Sequence, residues 1–71
     1  MTTPAVQLVP LADQIACIER EIGYRLRVYP RRVEDKKMTQ QLADRELDRM
    51  RAVLATLKRA AESEPILGGA A

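Results

Sequence analysis

Four arginines and two tyrosines fall within ten consecutive residues, Tyr24-Arg25-Leu26-Arg27-Val28-Tyr29-Pro30-Arg31-Arg32-Val33, the stretch richest in recognition chemistry in the 71-residue chain. Guanidinium forks bind carboxylates and phosphates through paired hydrogen bonds, and a tyrosine ring offers a flat stacking surface. Tyr24, Arg25, Arg27, Tyr29, Arg31 and Arg32 are therefore the candidate partner-binding residues. Such a segment suits an acidic protein surface or a nucleic-acid backbone. It equally suits a solvated helix end, where cations favour the negative pole of the helix dipole and arginine stems cover apolar neighbours. Arg20 to Lys37 holds seven basic and three acidic residues, while the whole chain carries only +2. That total, with Glu34 and Asp35 close by, weighs against a dedicated phosphate-binding surface.

The remaining residue types argue against an enzyme. There is no histidine, a single cysteine and no glycine-rich phosphate loop; Gly68-Gly69 precedes no helical pattern. Asp44 and Asp48 have the i,i+4 spacing of a carboxylate metal pair. Arg45 and Arg51 can each reach Asp48, however, so a solvated ion-pair lattice is the expected meaning. Met38 and Met50 read as a helix-start staple and a core residue. No catalytic residue, metal ligand or cofactor follows from these residues. Cys17 lies beside an apolar stripe and reads as a small, partly buried hydrophobe. A lone thiol, no signal-peptide pattern and no apolar run near ~20 residues together point to a reducing cytoplasm and away from a membrane.

These side chains must be positioned by helices. Leu8, Leu11, Ile15, Ile18, Ile22, Leu26 and Tyr29 recur at intervals of three and four, and after Pro30 the pattern resumes as Ala43, Leu47, Met50, Leu54, Leu57 and Ala61. Two amphipathic helices folded back on each other are predicted: an all-α, antiparallel hairpin. Residues 1–9 form an arm and 63–71 a tail. Pro10 is placed at the first helical position, with Asp13 at the positive end of the dipole. The first helix is expected over about 10–28 and to end or kink at Pro30, which removes an N–H and clashes with the carbonyl four residues back. A short turn or helix follows over 30–36, again with proline at its start. Thr39 caps a second helix over 40–62, which Pro65 prevents from extending. Glu21 and Arg25 form an i,i+4 pair.

Two helices share one seam, and the apolar surface exceeds it. Leu42, Val53 and Ala60 lie roughly 80–100° from the main stripe of the second helix, giving an apolar arc of about 140°, wider than one antiparallel neighbour covers. On the first helix, Cys17, Tyr24 and Val28 flank the stripe on one side, and Ala12, Ala16 and Gly23 on the other. Chains this short bury only about 60% of their unfolded surface. A homodimer closing into a four-helix bundle is the expected solution. Its dimer and core residues are Leu11, Ile15, Ile18, Ile22, Leu26, Leu42, Leu47, Met50, Val53, Leu54 and Leu57.

The sequence also resembles a family of short phage and prophage proteins. The matching residues are Ile15, Glu19-Arg20-Glu21, Arg27-Val28-Tyr29-Pro30-Arg31, Val33, Met38, Ala43, Glu46-Leu47, Met50 and Val53-Leu54, over about residues 12–57. Val-Tyr-Pro-Arg is the most specific part. Relatives tend to carry tryptophan where Arg32 stands and glycine where Lys36 stands. A left-handed lysine costs on the order of 1 kcal/mol, so the turn is expected to close differently here. The resemblance implies an accessory protein acting inside a bacterial cell and assigns no catalytic residue. The leading expectation is a non-enzymatic protein that binds and inhibits a bacterial host protein. The alternatives are nucleic-acid binding through the basic bend, or a structural part of a phage assembly.

Overall fold

Helix α1 (Leu11–Glu34) and helix α2 (Gln40–Ser63) pack antiparallel as a hairpin in the computed structural model, which describes residues 8–63. The all-α hairpin expected from the periodicity is the fold. Most of the expected arm and tail, residues 1–7 and 64–71, lie outside the described residues. Leu8 is 95% exposed and precedes the helix, so it does not belong to the apolar stripe.

The start of α1 is one residue later than expected. Pro10 takes φ −56° and ψ 145°, extended values that make it the N-cap, not the first helical residue. Its carbonyl accepts from the N–H groups of Asp13 and Gln14, at 3.0 and 3.1 Å. With no capping oxygen on proline, Gln14 fastens the entry instead, its Nε2 donating to the Val9 carbonyl at 2.8 Å.

The expected end at Val28 is overturned. The helix runs through Pro30 to Glu34. Proline still deletes one helical hydrogen bond, the one to the carbonyl of Leu26. That line of the helix, with Pro30 exposed and Leu26 46% exposed, faces solvent, where water can satisfy the freed carbonyl. Arg31 and Arg32 consequently sit on the last turn of α1 itself, not in a separate short helical turn.

Past Asp35 the chain reverses through two interlocked hydrogen bonds. Lys36 N–H donates to Val33 at 3.0 Å and Lys37 N–H to Arg32 at 2.9 Å. This Schellman pairing requires a left-handed residue after the cap. Lys36 takes that conformation, with φ 61°. The expectation that lysine would force another closure is therefore wrong: the hydrogen bonds outweigh the crowding at its Cβ. Thr39 caps α2 as expected, its Oγ1 accepting from Leu42 N–H at 3.0 Å.

All six apolar stripe positions of α2, Ala43, Leu47, Met50, Leu54, Leu57 and Ala61, are buried or half-buried. On α1 the seam follows Leu11, Ile15, Ile18, Ile22, Arg25, Tyr29 and Val33. The alternation of four and three up to Tyr29 is the spacing of paired helices. Leu26, expected in the core, stands one residue out of that phase and is largely outside. Among the described residues only Ile22 (9% exposed) and Ala43 (2%) are buried, and no large side chain is fully enclosed. One shallow seam holds the hairpin.

Candidate interaction surface

Helical spacing separates the six candidate binding residues into two groups. Arg25 and Tyr29 turn toward α2 and are partly covered. Arg25 Nε bonds Glu21 Oε2 at 2.8 Å, and its Nη1 lies 3.6 Å from Glu46 Oε1 on α2. The Glu21 hydrogen bond holds the guanidinium pKa above its ordinary value, partial desolvation opposes this, and Tyr29 adds to the rise. Arg25 thus ties the two helices together, and is not freely offered to a partner. The i,i+4 pair with Glu21 is as expected.

Tyr24, Arg27, Arg31 and Arg32 are exposed. Arg27, Arg31 and Arg32 line one open groove with Val28, Asp35 and Lys37. Four cations against one carboxylate make this groove strongly positive. Among the described residues none of these four cations is ion-paired, and neither are Arg20, Lys36, Arg45, Arg51 and Arg59; what sets the groove apart is that four cations gather there around one carboxylate. Continuing α1 through Pro30 places Arg27 and Arg31 one turn apart on the same side. The reversal at Lys36 brings Lys37 to them.

One contributor to the groove was missed in reading the sequence. Lys37 joins the groove only because the chain turns back at Lys36. Arg20 stands on the same exposed line as Tyr24, Arg27 and Arg31, at offsets of four, seven and eleven. That spacing was visible once the helix was known to continue through Tyr29.

The acidic residues of α2 form a different set of contacts from the expected lattice. Arg49 pairs with Glu46 at 3.0 Å, and Gln40 donates to Asp44 at 2.9 Å. Asp48 has no ion pair among the described residues. Nor do those residues gather three His, Cys, Asp or Glu side chains into a metal-sized cluster.

The residues expected in the core or dimer also divide. Leu11, Ile15, Ile18, Ile22, Leu47, Met50, Leu54 and Leu57 belong to the seam. Leu42 and Val53 remain 40% and 44% exposed, and Cys17 is exposed rather than partly buried. An apolar hollow lined by Val9, Cys17, Ile18, Val53 and Leu57, with Asp13 and Gln14, spans both helices on one side. No described helix is long and apolar enough to cross a membrane. Compared with known proteins, the chain matches no family model, no curated protein and no solved structure.

Proposed function

We propose that this is a non-enzymatic binding protein, a phage or prophage accessory factor that occludes an acidic patch on a bacterial host protein and works as a self-associated hairpin in the host cytoplasm. The observation carrying this reading is the groove at the bend, where Arg27, Arg31, Arg32 and Lys37 converge without an ion-pair partner among the described residues. Crowded like charges weaken a helix by a few tenths of a kcal/mol per pair. Docked carboxylates convert that repulsion into charge-assisted, bidentate hydrogen bonds. The family resemblance supplies the setting, and the physical reading supplies the surface.

The test is capture from a bacterial lysate by the immobilised chain, identified by mass spectrometry. Arg27→Ala combined with Arg31→Ala should release the captured protein while helicity and melting stay nearly constant. Undiminished capture by the double variant would reject the bend as the binding surface.

A second reading, nucleic-acid binding, draws on one specific observation: Tyr24 is 48% exposed and shares its line with Arg20, Arg27 and Arg31. Stacking beside phosphate contacts would then hold a strand. Affinity should fall with salt at a log–log slope of about −0.9 per duplex phosphate engaged. No retention of duplex or single strand at low salt removes this reading.

A further inference from the structure

We infer that the acidic partner presents an α-helix, which docks along the face of α1 turned away from α2, over Arg20, Tyr24, Arg27 and Arg31, with its backbone close to Gly23. This rests on the acidic-partner reading above and adds the partner's secondary structure, the spacing of its carboxylates and the length of α1 that it covers.

The spacing is that of paired helices. Arg20, Tyr24, Arg27 and Arg31 follow one another at four, three and four residues, and all four are exposed. The seam with α2 uses the same alternation on the opposite side of α1, through Leu11, Ile15, Ile18, Ile22, Arg25 and Tyr29. A line with that alternation stays straight beneath a neighbouring helix. α1 thus carries one largely apolar line filled by α2 and one cationic line left open. From Arg20 to Arg31 the open line runs about 16 Å, three helical turns.

The charges select the occupant. Of the four carboxylates on α1, Glu19 bridges Lys58 and Glu21 bridges Arg25, so neither is spent on this face. The other two close its ends: Asp13, Arg20, Arg27 and Glu34 recur every seven residues, acidic at both limits and cationic between them. A helix bearing carboxylates over three turns fits inside those limits. A nucleic-acid strand continuing along the line would meet a carboxylate at each end. Nor does a second copy of this chain complement it, because the outward line of α2 carries exposed Arg45, Ala52 and Arg59, also seven apart.

Gly23 is an independent sign of close approach. It stands three residues after Arg20 and four before Arg27, on the flank of the line, within a helix where only proline is a poorer former. A Cβ added there would meet nothing within 4 Å, so packing within the hairpin does not require the glycine. Ala16, seven residues earlier, repeats a small side chain on the same flank. Small residues beside the arginines let a second backbone approach until its short acidic side chains meet the guanidinium forks.

The test is fluorescence anisotropy of the full chain with two labelled helical peptides of identical composition and matched helicity. One carries four glutamates at i, i+4, i+7 and i+11; the other distributes the same glutamates round the helix. The aligned peptide should bind about tenfold tighter or more. Gly23→Leu should weaken it by about tenfold through steric exclusion, with melting unchanged or raised, since leucine favours helix and has open space there. Arg20→Ala, outside the groove at the bend, should also weaken it. Equal binding of the two peptides, no binding of either up to the solubility limit, or full binding by Gly23→Leu would each overturn the inference. Tighter binding of a single-stranded oligonucleotide of equal charge would overturn it in favour of nucleic acid. Lysate capture that is lost in the Arg27 and Arg31 double variant while the peptides bind equally would leave the acidic-partner reading standing without the helix.

Discussion

Replacing Lys36 by glycine should stabilise this protein, although lysine is charged, exposed and far from the seam. Lys36 is the one non-glycine residue with positive φ among those described, at 61°. An L-residue held there is strained by about 1–2 kcal/mol, because its Cβ crowds the following carbonyl. Glycine removes that strain but gains about 0.4–1 kcal/mol of freedom in the unfolded chain. The difference is a net stabilisation of roughly 0.5–1 kcal/mol. In a domain of this size it raises the melting temperature by roughly 2–8 °C. Neither closing hydrogen bond, Lys36 to Val33 or Lys37 to Arg32, uses the lysine side chain. Lys36→Ala keeps the Cβ and discards only the charge, so it should shift stability by less than about 0.5 kcal/mol. Thermal unfolding followed by circular dichroism at matched concentrations compares the three proteins. A rise produced equally by alanine and glycine would refute the backbone argument and assign the effect to charge.

Three other substitutions probe the hairpin. Arg25→Ala should lower stability by about 1 kcal/mol in urea titration, through a lost stem in the seam and two weakened bridges; Arg27→Ala should change it by less than about 0.5 kcal/mol. Equal effects at both positions would contradict the division of the arginines. Thr39→Ala should cost about 1 kcal/mol and Thr39→Ser far less, because serine retains the oxygen that accepts from Leu42 N–H; equal losses would show that the cap contributes nothing. Pro30→Ala restores a helical donor within a continuous α1, so it should raise helicity and stabilise by up to about 3 kcal/mol. No change in either quantity would mean the helix is interrupted there.

The second helix was legible almost throughout. Ala43, Leu47, Met50, Leu54, Leu57 and Ala61 all meet the seam, and Thr39 starts the helix, because apolar spacing and a capping hydroxyl act locally. The first helix was legible up to Ile22 and again at Tyr29, which was read in the stripe and meets the seam. Between them, hydrophobicity favoured Leu26, whereas the phase of the paired helices carries the seam through Arg25. A charged residue whose stem packs inward cannot be distinguished by type from one that faces solvent. Whether Pro30 stops or only kinks the helix was open in the sequence, because the cost of proline depends on whether the freed carbonyl reaches water, a tertiary property. Lys36 concealed a left-handed closure that a glycine would have announced. The bend was found from its arginines, but Lys37 joined it only once the helix end and the turn were known.

Among the described residues the seam buries only Ile22 and Ala43 and leaves Leu42 and Val53 uncovered, and the self-association proposed above is what would cover them. Sedimentation equilibrium combined with melting across a concentration series tests it most directly. The predicted result is a mass twice the 8.0 kDa of one chain, with the melting temperature rising by about 3–5 °C per tenfold increase in concentration. A single-chain mass with a sharp melt at the same temperature throughout the series would contradict it.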